Sequence, residues 1–131
     1  MADNAAIMEQ AYEAFGRGDI ETVLAAFDEQ IEWWSAENSP YWQGRPLVGP
    51  DAVAQGIFQR IAADTTDFRV NVHRIVGCAD TVLAQGRYTG TWNATGRPLD
   101  AQFAHVWNFQ GERVVRFQQY TDTYGWARTT S

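Results

Sequence analysis

The chain has 131 residues, 45% of them hydrophobic, with 6 Trp, 5 Tyr and 7 Phe, and a formal net charge of −6. That length and apolar share fit a single domain, residues 1–131, with a substantial core. The acidic balance argues against nucleic acid or an anionic membrane as a partner, and no apolar run reaches the roughly 18 residues a membrane-spanning helix needs.

Residues 4–17 read as a helix, because Ile7, Met8, Ala11, Tyr12 and Phe15 recur at three- and four-residue spacing. Asp3 or Asn4 can cap its start and Gly16 or Gly18 its end. Asp19 can cap a shorter helix carrying Ile20, Val23, Leu24 and Phe27. Gln30 to Trp34 is a short strand, in which alternation turns only one of Trp33 and Trp34 inward. A long loop, Ser35 to Gly49, follows and holds Glu37, Tyr41 and Trp42; a loop of this length in a compact domain is often functional. Pro50 suits the first position of a third helix, with Val53, Ile57, Phe58 and Ile61 on its apolar face.

From Asp67 onward the chain reads as strands. Phe68–Val76 alternates, Gly77 to Asp80 turns, and Thr81–Trp92 is a long strand interrupted by Gly86 and Gly90, which mark bulges or close approaches. After a turn at 93–98 comes a hairpin about Gln110-Gly111-Glu112. Its first arm sets Phe103, His105, Trp107 and Phe109 on one face; its second sets Val115, Phe117, Gln119 and Thr121 opposite Val114, Arg116, Gln118, Tyr120 and Asp122. The tail keeps Tyr124 and Trp126 for folding back on the sheet. The expected class is α+β: a curved antiparallel sheet wrapped on three N-terminal helices, leaving a conical pocket between them.

His105 stands out as a candidate proton carrier among aromatics, with a buried neutral histidine as the alternative. Gln119 can hold a carbonyl or hydroxyl, and Asp122 can serve as a carboxylate partner, with acceptance of backbone or Arg hydrogen bonds near the strand end as the alternative. Trp33, Glu37, Tyr41, Trp42, Phe58, Tyr88, Phe117 and Tyr120 are the candidate ligand contacts, with core packing the alternative for Phe58. His73 reads as an exposed strand residue or part of a subunit contact. Two histidines 32 positions apart and the lone Cys78 give no metal-ligand spacing, and no cofactor motif is present. All ten basic residues are Arg, which excludes a lysine Schiff base. The lone cysteine, and a start (MADNAAIMEQ) without a basic flank and apolar core, lead to the expectation of a cytoplasmic protein without a signal peptide.

The segments AYEAFGRGDIETVLAAF, EWW with its loop to GPDA, RYTGTW with TGRP, and HVWNFQGERVVRFQQYTDT together resemble the nuclear transport factor 2-like superfamily, and within it the SnoaL-like proteins. The resemblance implies a cone-shaped α+β barrel with a deep pocket, commonly a homodimer through the outer sheet face. Family members include isomerases, epoxide hydrolases, polyketide cyclases and binding domains, so the fold alone assigns no chemistry. In the ketosteroid isomerases an acid precedes the residue matching His105; here it is Ala104. Their base falls near Ser35, and their tyrosine near Ala11, one step from Tyr12. The last-strand acid of the cyclases and epoxide hydrolases matches Gln119, and the cyclase histidine matches His105. The expectation is therefore a cofactor-independent isomerase, cyclase or hydrolase acting by proton transfer on an apolar, cyclic, oxygenated small molecule. The alternatives are a binding module without chemistry and a dimeric assembly domain.

Overall fold

The computed structural model describes residues 3–131; Met1 and Ala2, part of the stretch read for a leader, lie outside the described residues. Helix α1 (Asn4–Gly16) starts where the Asp3 carboxylate accepts the Ala5 N–H at 3.0 Å, and α2 (Ile20–Ala25) starts where Asp19 accepts from Thr22 N–H at 3.2 Å. Phe27, placed by its spacing on α2, instead opens strand β1 (Phe27–Trp34) and is buried against the sheet. A two-residue strand, β2 (Leu47–Val48), pairs with β1. Helix α3 spans 50–64 and has a π-helical turn, Ala54–Phe58, between two α-helical stretches.

Four long strands follow, β3 (Thr65–Cys78), β4 (Thr81–Trp92), β5 (Arg97–Gln110) and β6 (Arg113–Thr121). The chain ends in a helix, α4 (Thr123–Thr130), where sequence reading gives only a returning tail. Asp122 creates this helix by accepting the Gly125 N–H at 2.9 Å, and Trp126 is buried on its inner side. The sheet order is β2-β1-β6-β5-β4-β3, antiparallel except for the β1–β6 pair. It is a curved, open sheet: β2 and β3 are separate edges, and helices rather than strand pairing complete the cone.

Bulges produce the curvature. One lies in β3 at His73, where the register against β4 shifts between Val72 and Arg74. Gly86 faces this point, and a Cβ there would overlap the Asn71 carbonyl oxygen, so only glycine lets the two backbones close up. A second bulge, at Val115, reverses the alternation of β6, so Val114 and Phe117 both point inward. The turn between β5 and β6 has Gly111 at φ 62, the left-handed conformation its sequence position calls for. The core gathers Met8, Ala11, Ile31, Trp33, Val53, Trp107 and Phe117 between α1, α3 and the concave sheet face.

Candidate functional site

A cavity of about 70 Å³ lies inside the cone, between α1, α3, the loop after β1 and the concave face of the sheet. Its wall is aromatic and aliphatic, and its lining residues include no Asp, Glu, Arg or Lys. Cavities that take a benzene ring measure roughly 150 Å³, so this one suits a small ligand or a larger one that displaces lining side chains.

His105 sits on β5 between cross-strand neighbours Ala84 and Gln119, 5% exposed. Both ring nitrogens are engaged. Nδ1 lies 2.7 Å from the Tyr12 hydroxyl, and Nε2 lies 2.5 Å from the Tyr88 hydroxyl. Trp107 Nε1–H donates to the Tyr12 oxygen at 2.8 Å, and Gln119 Nε2–H donates to the Tyr88 oxygen at 2.9 Å. Gln119 is oriented by its other end, where Oε1 accepts the Ala36 backbone N–H at 3.0 Å. An N–H can only donate, so the amide is fixed with its nitrogen toward Tyr88. The Phe103 ring stacks on His105 at 4.1 Å and Phe117 meets it edge-on at 5.0 Å.

Burial sets the protonation states. It holds the His105 pKa down, to about 3, so the ring is neutral at ordinary pH. Burial pushes the Tyr12 and Tyr88 hydroxyls well above their usual range, so both stay protonated. A neutral imidazole donates from one nitrogen and accepts at the other. The chain Tyr12–His105–Tyr88 can therefore pass a proton along with every member neutral, when a ligand takes a proton from the phenol at one end and gives one to the phenol at the other.

The sequence candidates divide into two groups. His105, Gln119, Trp33, Tyr41, Phe58, Tyr88 and Phe117 all line the cavity. Tyr41 reaches it from the loop and is pinned there, its hydroxyl donating to Asp64 at 2.9 Å. Glu37, Trp42 and Tyr120 lie outside, in a surface cleft that shares only Ser35 and Gln119 with the cavity. Trp42 stacks on Trp34 there, at 6.1 Å, with the Arg116 guanidinium over Trp34 at 4.8 Å. Tyr120 faces outward because its neighbour Gln119 faces inward, and it is 57% exposed. Asp122 lies past the end of β6 and also faces away from the cavity, its carboxylate engaged as the cap of α4. His73 is exposed at its bulge.

Sequence reading missed Tyr12 and Trp107 as members of the polar network. The available signal for Tyr12 was that it carries the one polar atom of the otherwise apolar face of α1; Trp107 shares its β5 face with His105, beside which its indole N–H is a second polar atom. Among the described residues, no three His, Cys, Asp or Glu side chains come together to hold a metal ion.

The model of the SnoaL-like domain matches residues 8–117. The chain belongs to this family. No functionally curated protein matches it. Among solved structures it is similar to an NTF2-like protein from Burkholderia thailandensis, at 27% identity over 100% of this chain and 99% of that one, with a TM-score of 0.95. It is also similar to Bal32a from a soil-derived mobile gene cassette, at 26% identity over 98% and 96% of the two chains, with a TM-score of 0.85. TerC, co-crystallised with polyporic acid, shares the fold at 19% identity over 97% of each chain, with a TM-score of 0.84. The SnoaL-like assignment supports a small-molecule-binding protein. Among the described residues, no helix is long and apolar enough to cross a membrane.

Proposed function

We propose that this SnoaL-like chain binds a neutral, largely apolar small molecule in the cone cavity and moves a proton on it through His105, without a cofactor. The observation that carries this reading is the Tyr12–His105–Tyr88 chain in the wall of a cavity whose lining has no charged side chain. In such a wall an ionic ligand meets no counter-charge and loses its hydration, whereas a neutral one gains apolar contact. Of the isomerase, cyclase and hydrolase chemistries, isomerisation and cyclisation suit the site better. They need a proton delivered at one atom and removed at another, and the relay can do this without forming an ion pair in a low-dielectric space.

The test is α-carbon hydrogen–deuterium exchange and product formation, followed by NMR, over a panel of cyclic ketones, epoxides and lactones. The wild-type chain is expected to accelerate one member, and His105→Ala to lose that acceleration. Equal rates in the two proteins would remove His105 from the chemistry.

A second reading is a binding module without turnover. It is favoured by the placement of Asp122 and Glu37 outside the cavity, which leaves no carboxylate base there. It predicts saturable binding with the ligand recovered unchanged. On either reading we place the homodimer contact on the outer sheet face. There Val76, Leu83 and Val106 form one cross-strand apolar row, with Val76 41% and Leu83 46% exposed.

A further inference from the structure

We infer that the molecule this cavity is built for carries a neutral hydrogen-bond acceptor, a ketone, aldehyde or ether oxygen, held by a surplus hydroxyl proton of the Tyr12–His105–Tyr88 relay. The inference rests on the pocket reading above and goes further by naming the chemical class of the ligand.

Counting hydrogens carries it. Four hydrogen bonds join Trp107 to Tyr12, Tyr12 to His105, His105 to Tyr88, and Tyr88 to Gln119. Counting the one Gln119 amide hydrogen directed at Tyr88 and not its second, five hydrogens are available to fill them: the indole N–H, two phenolic O–H groups, one imidazole N–H and that amide N–H. One hydrogen is always left over, and it always belongs to a phenol. With the proton on Nδ1, the Tyr12 oxygen accepts from both Trp107 and His105, so the Tyr12 O–H is free. With the proton on Nε2, the Tyr88 oxygen accepts from both His105 and Gln119, so the Tyr88 O–H is free. In each case the phenol with the free hydrogen has spent its lone pairs and acts purely as a donor.

No side chain nearby takes that hydrogen up. Among the described residues, neither phenol oxygen has a third partner. Gln119 has its carbonyl oxygen on Ala36 N–H and so offers only N–H to this space. The Tyr41 hydroxyl donates to Asp64, so among the described residues the wall offers, besides the two phenols, only the Ser35 hydroxyl as a further amphoteric group. Both tyrosines line the cavity. A buried donor without an acceptor is costly, and a ligand oxygen placed against either phenol removes that cost. Because the imidazole tautomer decides which phenol is free, the ligand also selects the tautomer.

The test uses cyclopentanone, labelled with ¹³C at the carbonyl, and methylenecyclopentane, its hydrocarbon isostere. Both are titrated into the wild-type protein, with the Trp107 indole N–H and the His105 ring ¹⁵N shifts observed by NMR. The carbonyl stretch of the bound ketone is read by infrared spectroscopy. The expected result is that both bind, that the bound stretch falls to the position seen in an alcohol rather than in hexane, and that ketone but not hydrocarbon drives His105 to a single tautomer. In the Tyr12→Phe/Tyr88→Phe double variant the ketone-to-hydrocarbon affinity ratio is expected to drop about tenfold. If that variant does not fold, the infrared and ¹⁵N results on the wild-type protein decide alone. Hydrocarbon binding with a ketone that fails to bind, or binds with a hexane-like stretch, overturns the acceptor inference and leaves the pocket reading standing. Binding of neither probe overturns both.

Discussion

The neutral state of His105 makes stability depend on pH in a calculable way. In the unfolded chain the imidazole titrates near 6.5, whereas burial in the folded protein lowers its pKa to about 3. Between these values the unfolded chain holds the extra proton, so the free energy of unfolding rises with pH across the window. This contribution is complete above about pH 6.5 and is lost progressively as pH falls toward 3. One proton corresponds to about 1.4 kcal/mol per pH unit, giving about 3 kcal/mol of loss by pH 4.5 and about 5 kcal/mol across the whole window.

The perturbation is His105→Gln, which keeps one donor and one acceptor near the two phenols and removes the titration. Urea unfolding followed by tryptophan fluorescence, at steps from pH 7.5 to 4, gives stability for both proteins. Surface carboxylates titrate in both and cancel in the difference. Wild type minus variant is expected to shrink by about 3 kcal/mol between pH 7.5 and 4.5. A difference that stays flat, or grows as pH falls, would mean that His105 is cationic or solvated in the folded protein, and the neutral relay would be refuted.

Three further outcomes follow from the packing. Gly86→Ala should cost about 2–4 kcal/mol, read as a lower urea midpoint, because its methyl overlaps the Asn71 carbonyl where β3 bulges; a near-neutral effect would mean that the strands are not so close. Asp122→Ala should cost about 1 kcal/mol through loss of the α4 cap while leaving ligand affinity unchanged, since the carboxylate faces away from the cavity. A tenfold loss of affinity without a change in stability would return Asp122 to the site. Leu83→Glu should convert a dimer to a monomer in sedimentation velocity, because the charge lands in the middle of the Val76–Leu83–Val106 row; an unchanged dimer would move the interface elsewhere.

Much of the site was legible in the sequence where periodicity carries it. Period-two alternation put Phe103, His105, Trp107 and Phe109 on one face of β5, and all four are buried. The same rule required one of Trp33 and Trp34 to face out, and it is Trp34 that stacks on Trp42 at the surface. Periodicity failed where the backbone departs from it. Asp122 has left β6 and become a helix cap, and Val115 adds a residue that resets the faces of β6. Trp42 and Glu37 lie on a loop, where no period applies.

The sequence by itself determined the run of elements from α1 to β6 apart from the two-residue β2, the inward face of β5, the family and the absence of lysine chemistry. These depend on local pattern and on composition, which the chain carries without folding. Only the tertiary structure decided that Tyr12, 93 positions from His105, closes one end of a relay, that Gln119 is locked by a loop amide, and that no carboxylate enters the cavity. Those facts depend on bulges, strand register and the docking of α1 on the sheet. A shift of one residue in any of these would turn a different side chain inward, and no local rule fixes it.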